Sequence, residues 1–260
     1  MKFASWNVRT LMNSDTRPER RTALVGLELK RLDIDVAALQ ETRLPAEGKI
    51  AEKGSGYTFF WKGLPQDERR IHGVGLAIKT CLLKDLKEIP TGLSERLMTA
   101  RLAIQNDDHI TIICAYAPTL DANDTVKETF YATLDQVITN TPNKDRLLIL
   151  GDFNARVGTD HVTWTPIGHN GIGKINQNGQ LLLTKCTEHN LLITNTLFQM
   201  KNRYKGTWQH PRSKHWHQID FIITKSRDRK EIMKARAIIG TDSFLTDHRL
   251  VKCEIKISPR

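Results

Sequence analysis

The stretch LLILGDFNARVG, residues 147 to 158, carries two polar side chains that could act together in catalysis. Four apolar residues lead to a glycine, and Asp152 and Asn154 follow with Phe153 between them. In an extended chain, residues two apart point to the same side and the residue between them points to the opposite side. The sequence therefore predicts that Asp152 and Asn154 stand side by side at a strand end, while Phe153 packs into the protein.

The same pattern, a polar side chain at the end of an apolar run, recurs along the chain. Any one of these residues could be an ordinary cap or turn residue, because Asn and Asp favour such positions. Carboxylates are costly to bury without a partner or a metal, so their joint occurrence predicts one shared pocket. The candidates are Asn7 in SWNV, Gln40 and Glu41 in LQET, Tyr116 in YAP, Asp220 in QIDF, and Asp247 with His248 in TDH.

Short strand patterns and a few helical patterns predict a mixed α/β domain. Helices fit 17–32, 123–140 and 177–189, where apolar residues recur at intervals of three and four. Strand candidates lie at 2–8, 35–40, 57–61, 73–79, 97–104, 109–116, 146–151, 191–195, 216–224, 235–239 and 249–257. So many strands in one domain, residues 1–260, would form two mixed sheets packed face to face with helices outside. The stretch 152–176 is predicted to be a long irregular loop, a type that is often functional.

The composition favours a single domain that does not enter a membrane. Hydrophobic residues make up 39% of the chain, but the longest apolar runs are far short of the roughly 20 residues that span a bilayer. The N-terminus has no secretory signal pattern. The four cysteines are scattered, which is typical of reduced thiols. We therefore expect a nuclear or cytoplasmic protein that is not secreted.

Positive charge is concentrated in one segment. The net charge is +10, and between Lys201 and Arg236 eleven Lys and Arg residues face three acidic ones. Such a run is often only a solvated face. This one also contains aromatic residues and histidines, and basic groups interleaved with aromatic rings are typical of nucleic-acid surfaces.

Six motifs, in chain order over residues 5 to 248, resemble those of the endonuclease/exonuclease/phosphatase superfamily: SWNV, LQET, YAP, GDFN, QIDF and TDH. The middle segment IGHNGIGKINQNGQLLLTKCTEHNLLITNT and the later KGTWQHPRSKHWHQIDFI are most similar to the apurinic-type endonuclease domain of RTE (BovB-like) non-LTR retrotransposons and to host proteins such as craniofacial development protein 2. The resemblance covers essentially the whole chain and implies a four-layer α/β sandwich.

The resemblance implies a division of labour for phosphodiester hydrolysis. Glu41 would ligate Mg²⁺, for which Mn²⁺ could substitute, with Asn7 and Asp247 in or near the same shell. Asp152, held by Asn154, would orient and deprotonate the attacking water. The alternative role for these two residues is to bind a second metal, and the sequence does not decide between the roles. Two further residues would bind the phosphate: His248, kept protonated by Asp220, and Tyr116.

Arg9 departs from the pattern of apurinic-repair enzymes, which have a carboxylate ligand at this position. A cation does not ligate Mg²⁺, so Arg9 is expected to face a DNA phosphate or a neighbouring carboxylate, and a preference for abasic sites becomes doubtful. The residues expected to contact nucleic acid are Arg9, Lys205, Trp208, Arg212 and Lys214. The nearby His210, His215 and His217 are interpreted as part of a DNA-facing loop rather than a zinc site, because their spacing matches no structural zinc pattern.

The leading functional hypothesis is a Mg²⁺-dependent DNA endonuclease that nicks one strand and leaves a 5′ phosphate and a 3′ hydroxyl. It would act as a monomer, in a parent polypeptide that could carry a reverse transcriptase. One alternative is a phosphatase or phosphodiesterase acting on small phosphoesters, which would have less use for the basic segment. The other is a domesticated domain that binds nucleic acid without cutting it, against which the set of acidic and histidine residues argues. Target sequence and metal number stay open.

Overall fold

Two β-sheets form the centre of the structure, a computed structural model that describes residues 1–104, 107–242 and 246–258. The first sheet consists of β1 (Lys2–Asn7), β2 (Val36–Gln40), β3 (Glu47–Glu52), β4 (Tyr57–Lys62), β5 (Val74–Lys79), β14 (Ile232–Ala237) and β15 (Val251–Ile255). The second consists of β6 (Thr91–Ser94), β7 (Leu97–Ala103), β8 (His109–Tyr116), β9 (Arg146–Asp152), β10 (Leu191–Ile193) and β13 (Asp220–Lys225). A separate hairpin pairs β11 (Trp208–Gln209) with β12 (Trp216–His217).

Both sheets are mixed. The first has the order β14-β15-β1-β2-β5-β4-β3, in which β1 runs parallel to β2 and antiparallel to β15. The second has the order β10-β13-β9-β8-β7-β6, in which β9 runs parallel to β8 and antiparallel to β13. The strands that end in candidate site residues are therefore next to one another in the middle of each sheet.

Three helices cover the outer faces of the sheets: α1 (Arg21–Arg31), α2 (Asp124–Asn140) and α3 (Gln177–Glu188). Phe3 and Leu76 of the first sheet share a core with Ile112 and Leu150 of the second, so this core lies between the sheets. A second core packs α1 on the first sheet, and a third packs α2 and α3 on the second. The predicted four-layer α/β sandwich with two mixed sheets is confirmed.

Local sequence signals explain where the helices begin. The side chain of Asn123 accepts a hydrogen bond from the Val126 amide at 3.1 Å, and that of Asn176 accepts one from the Gly179 amide at 2.8 Å. Both are N-caps, which satisfy amides that have no partner within the helix. The predictions for α2 and α3 agree with the structure to within one residue at each end. The helix predicted over 17–32 begins only at Arg21.

The strand predicted over 216–224 was wrong in its continuity. It is divided into β12 and β13, because Thr207 Oγ1 accepts hydrogen bonds from the amides of Ile219 and Asp220 at 3.1 and 3.2 Å. Strand β3, which was not predicted, forms one edge of the first sheet with half of its residues exposed. A short, polar edge strand lacks the apolar run that predicts a strand. Strand β6 at the edge of the second sheet was missed for the same reason.

Two simpler expectations can be checked directly. All four cysteines are free thiols. Among the helices in the described ranges, none is both long enough and apolar enough to cross a bilayer.

Candidate active site

The topology brings the polar strand ends to one edge of the sandwich. In the second sheet Asp152 is paired in register with Tyr116 on one side and with Asp220 on the other. In the first sheet Asn7 ends β1, and the parallel strand β2 ends beside it. His248 lies just before β15, which is antiparallel to β1 and therefore begins at the same edge.

Asn7 connects the two sheets at this edge. Its Nδ2 donates to Glu41 Oε1 at 3.0 Å and to Asp152 Oδ2 at 2.9 Å. The Tyr116 hydroxyl donates to the same Glu41 oxygen at 3.1 Å. The Asn7 side chain therefore holds one carboxylate from each sheet, Glu41 and Asp152, by hydrogen bonds from the same nitrogen. The structure thus brings together four of the predicted site residues: Asn7, Glu41, Tyr116 and Asp152.

Asp152 and Asn154 are held together, but not by an extended chain. Asn154 has a φ of 47°, so the backbone turns there and the argument from strand periodicity does not apply. The Asn154 amide donates to Asp152 Oδ1 at 2.9 Å, and the Asn154 side chain donates to the Ala117 carbonyl, also at 2.9 Å. Phe153 is fully buried, as its position in the sequence predicts. Asn154 therefore orients Asp152 with its backbone, and its side chain fixes the turn.

His248 is held between two buried carboxylates. Its Nδ1 shares a hydrogen bond with Asp220 Oδ2 at 3.0 Å, and its Nε2 lies 3.9 Å from Asp152 Oδ2. Both carboxylates and the imidazole are almost completely buried. This arrangement orients the ring and leaves Nε2 facing the side of the site where Asp152 lies.

Burial and neighbouring charges shift the pKa of several groups in this site. Burial lowers the pKa of His248, but the charge and hydrogen bond of Asp220 and the charge of Asp152 outweigh it and raise the value to about 9. Burial and the charge of Asp220 raise the pKa of Asp152 to about 7. Burial and the charges of Glu41 and Asp152 raise the pKa of the Tyr116 phenol well above its usual value. At neutral pH the site therefore contains a protonated imidazole and a phenol that keeps its proton.

Two residues to which the sequence analysis gave no role fix the backbone around His248. Thr246 Oγ1 donates to the Asn7 carbonyl at 2.8 Å and accepts from the His248 amide at 3.2 Å. The indole Nε1 of Trp6 donates to the His248 carbonyl at 3.2 Å. Trp6 and Thr246 stand next to Asn7 and Asp247 in the motifs SWNV and TDH, so their proximity to predicted site residues was the available signal.

The hairpin β11–β12 packs against His248. The backbones of Trp208 and His248 pair as a single antiparallel β-bridge, and the centroids of their rings lie 6.3 Å apart. His217 stacks on Trp208, with the two ring centroids 5.8 Å apart. Trp208 Nε1 donates to Asp247 Oδ2 at 3.1 Å. Among the described residues the Asp247 carboxylate thus binds the hairpin, and its charge also acts on His248; its place in a metal shell stays a prediction.

The residues predicted to contact nucleic acid differ in their exposure. Arg9, Arg212 and Lys214 are exposed, and Trp208 is half-buried at the base of the hairpin. Lys205 is only 7% exposed, and burial lowers its pKa. Lys205 therefore offers little surface to a phosphate in this conformation.

A cavity of about 640 Å³ lies beside the hairpin and adds cations that the sequence analysis missed. Arg156, Lys174 and Arg203 line it together with Lys214, and its walls include Trp216 and two of the histidines but no carboxylate. None of the four cations has an acidic partner among the described residues. Arg156 and Lys174 belong to the predicted loop 152–176, so only the fold brings them to the basic segment.

With this geometry in place, comparison with known proteins identifies the family. The profile of the Endonuclease/Exonuclease/phosphatase family matches residues 4–248. The chain belongs to this family. Craniofacial development protein 2 of Bos taurus is 31% identical over 270 aligned residues, which cover 99% of this chain and 42% of that protein. The protein of the same name from Tragulus javanicus is 30% identical and is covered to 43%. The chain thus spans about two fifths of the length of these curated relatives.

Several solved structures have the same fold. The catalytic domain of Xenopus laevis APE2 superposes with a TM-score of 0.71 at 20% identity, covering 98% of this chain and 92% of that one. The endonuclease domain of TRAS1, a telomere-specific non-LTR retrotransposon, superposes with a TM-score of 0.66 at 15% identity and 99% coverage of both chains. A variant of the 3′ phosphatase NExo from Neisseria, bound to a product DNA hairpin, superposes with a TM-score of 0.68 at 19% identity, covering 99% of this chain and all of the other.

The donor chemistry of the site fits a hard divalent cation, as expected for this family. Oxygens of Glu41 and Asp152 both lie within hydrogen-bonding distance of the single Asn7 amide nitrogen, and carboxylate oxygens are the ligands that Mg²⁺ and Mn²⁺ prefer. In the described part of the chain, the groups of acidic residues and histidines whose ligand atoms lie within 4.8 Å of one another are Asp152 with Asp220 and His248, and Asp135 with Glu188 and His189. The three hairpin histidines belong to neither group.

Arg9 contacts the candidate active site only through its backbone among the described contacts. Its backbone amide donates to Asn7 Oδ1 at 2.9 Å, so the amide oxygen of Asn7 is already engaged. Its side chain is exposed and forms no ion pair with any residue that the structure describes. Asn7 therefore acts on the carboxylates through its NH₂ group, and the Arg9 guanidinium is left facing solvent.

Proposed function

We propose that this chain is a Mg²⁺-dependent DNA endonuclease that hydrolyses one phosphodiester and leaves a 5′ phosphate and a 3′ hydroxyl. The observation that carries the proposal is the network at one edge of the sandwich. In it Asn7 donates to both Glu41 and Asp152, and His248 lies 3.9 Å from Asp152. Membership of the family and its DNA-acting structural neighbours support a nuclease.

Asp152 is the proposed general base. Its Oδ1 is fixed by the Asn154 amide and its Oδ2 by Asn7, so its position does not depend on the substrate. A pKa of about 7 suits a general base at neutral pH, because a large fraction of Asp152 is then ionised and the carboxylate still has a high affinity for a proton. Asp152 would orient a water for in-line attack on the phosphorus and accept its proton.

His248 and Tyr116 are the proposed donors to the phosphate. Asp220 keeps the imidazole protonated, so that Nε2–H would stabilise the negative charge that develops on a nonbridging oxygen. The Tyr116 hydroxyl would add a second hydrogen bond to the phosphate by turning its single proton away from Glu41 Oε1, to which it donates in the absence of substrate. A metal bound at Glu41 would neutralise charge on the phosphate and on the departing 3′ oxygen.

The hairpin and the cavity beside it supply the proposed DNA surface. The exposed cations Arg9, Arg212 and Lys214, together with those of the cavity, lack acidic partners among the described residues and are free to neutralise phosphates. Such a surface favours a polymeric polyanion over the small phosphoesters of the alternative hypothesis. We propose DNA rather than an inositol phosphate or phospholipid as substrate for this reason.

The biological setting is proposed from the resemblance. The TRAS1 neighbour is the endonuclease domain of a non-LTR retrotransposon, and the craniofacial relatives extend well beyond the length of this chain. We propose a retrotransposon-type endonuclease that works in the nucleus as a monomeric domain, in a parent polypeptide with a reverse transcriptase. The 3′ hydroxyl released at the nick would prime DNA synthesis.

Relaxation of supercoiled plasmid tests the enzymatic proposal. The wild-type protein with Mg²⁺ should convert supercoiled plasmid to the nicked form, and EDTA or Glu41→Gln should abolish this conversion. The nicked product should be ligatable, because ligation requires a 5′ phosphate and a 3′ hydroxyl. Release of phosphate from soluble phosphomonoesters without nicking would support the phosphatase alternative. DNA binding without either activity would support a binding domain.

A further inference from the structure

The backbone after β2 is shaped to place two opposite charges side by side. Glu41, Arg43 and Ala46 have φ values of 54°, 56° and 52°, a left-handed conformation that residues other than glycine rarely adopt. Strained backbone of this kind persists only where its surroundings hold it. Here the Arg43 amide donates to the His72 carbonyl at 2.9 Å, and the Thr42 carbonyl accepts from the Leu11 amide at 2.8 Å.

The result is an ion pair at the candidate metal ligand. Arg43 Nη2 lies 3.0 Å from Glu41 Oε2, while Asn7 and Tyr116 donate to Oε1. Both oxygens of Glu41 are therefore engaged. A divalent cation that binds Glu41 has to share the outer oxygen with the Arg43 guanidinium or displace it.

The two partners differ in their freedom to move. The Glu41 side chain is 19% exposed and is fixed by two donors, whereas the Arg43 side chain is 39% exposed and forms only this one ion pair with the residues that the structure describes. Arg43 Nε is buried without a hydrogen-bond partner, so this part of the guanidinium gains no hydrogen bond from the ion-paired position. The guanidinium is thus the partner that can leave.

We propose that Arg43 is an exchangeable counter-cation of Glu41, which the divalent metal displaces and which then binds a phosphate of the DNA. The inference rests on the proposed function, because it assumes a metal at Glu41. It predicts positive coupling between metal and DNA. Metal binding frees a guanidinium for the substrate, and by linkage DNA strengthens metal binding by the same factor.

Coulomb's law gives the strength of the repulsion between the divalent metal ion and the Arg43 guanidinium. A doubly charged ion and a guanidinium about 5 Å apart at a solvated site repel one another enough to weaken metal binding by about tenfold. Removing the cation should therefore tighten metal binding, provided that Glu41 keeps its place through Asn7 and Tyr116. A purely structural role of Arg43 predicts the opposite, since Glu41 would then be released and metal binding would weaken.

Mn²⁺ binding followed by electron paramagnetic resonance in the absence of DNA distinguishes these outcomes. Arg43→Gln should lower the Kd for Mn²⁺ about tenfold, and Arg43→Lys should stay near the wild-type value. Arg31→Gln, which breaks an exposed ion pair with Glu28 at the end of α1, serves as the matched control and should leave the Kd unchanged. Equal or weaker Mn²⁺ binding by Arg43→Gln, with an unchanged melting temperature, would overturn the proposal.

The coupling is measured separately by fluorescence anisotropy with duplex DNA, in a His248→Gln background that prevents turnover. Mn²⁺ should strengthen DNA binding about tenfold when Arg43 is present and less than threefold in the Arg43→Gln background. Equal strengthening in both would also overturn the proposal. If the wild-type protein binds no Mn²⁺, or if Glu41→Gln binds it as well as wild type, the proposed metal site itself fails, and this inference fails with it.

Discussion

Replacing Asp220 with asparagine tests how the site keeps His248 charged. The substitution preserves the shape of the side chain and removes its negative charge. Asp220 is fully buried and hydrogen-bonds His248 Nδ1 at 3.0 Å, so little solvent screens the pair. Because this charge and hydrogen bond raise the pKa of His248, the variant should have a markedly lower one.

The magnitude follows from the wild-type value of about 9. With that pKa, about 97% of His248 is protonated at pH 7.5, whereas an imidazole with the ordinary value of 6.5 is only about 9% protonated. In the variant, burial still lowers the pKa of His248 and the charge of Asp152 still raises it, so the ordinary value serves as the guide. If only the protonated imidazole stabilises the phosphate, kcat/KM at pH 7.5 should fall about tenfold. Asp220 also raises the pKa of Asp152, so the base should ionise at lower pH in the variant.

The assay is the pH profile of nicking from pH 5.5 to 9.5 for the wild-type protein and Asp220→Asn. The descending alkaline limb should move from near pH 9 toward pH 6.5, and activity should recover partly on the acid side. The carbon-13 chemical shift of the His248 ring gives the pKa directly in the absence of substrate. An alkaline limb that stays in place, or a ring that still titrates near pH 9, would refute the assignment of Asp220 as the residue that keeps His248 protonated.

Three further predictions concern catalysis, stability and DNA binding. Asp152→Ala should lower kcat for nicking by a factor of about 10⁴ while changing the Kd for DNA less than threefold, as measured by anisotropy. Asp145→Ala should reduce the free energy of unfolding by about 2 kcal/mol in urea titrations, because the fully buried carboxylate accepts hydrogen bonds from Arg101 and Thr111. Burial raises the pKa of Asp145, but these hydrogen bonds have the larger combined effect, and the net pKa lies below its ordinary value. The ionised carboxylate therefore stabilises the fold above the ordinary carboxyl pKa. The difference in unfolding free energy between the variant and the wild type should shrink as the pH falls below about 4. Replacing Arg212 and Lys214 together with glutamine should flatten the dependence of log K on log salt by about 1.8, and Lys205→Gln should leave that slope unchanged.

Local patterns in the sequence predicted the two mixed sheets and the proximity of several candidate site residues. Strand alternation and helical spacing reflect which face of an element is buried, so β9, α2 and α3 could be located closely. The convergence of Glu41, Asp152 and His248 was predicted because a domain rarely buries several carboxylates separately. These inferences depend on the residue types and their order, not on where other segments pack.

Other features depend on contacts between distant segments, which a sequence pattern does not contain. Lys205 is buried in the fold, although a lysine in a basic segment suggests exposure. Asp247 accepts a hydrogen bond from Trp208, 39 residues away in the chain. The backbone at Asn154 is left-handed and not extended as the sequence pattern predicted. Hydrogen bonds to Asp152 and Ala117 hold it in this turn, and a sequence pattern does not contain them.

The link from Asn7 in the first sheet to Asp152 in the second crosses the seam of the sandwich. Neither sheet alone therefore holds the complete candidate site, and the proposed nicking activity would report on the docking of the two sheets as well as on the integrity of each. During refolding, activity should return only with the last packing step, later than the signals of secondary structure. Circular permutants cut at the exposed loop before α2 would preserve this seam, whereas a shift of one sheet against the other by a single residue would disconnect the base from the rest of the site.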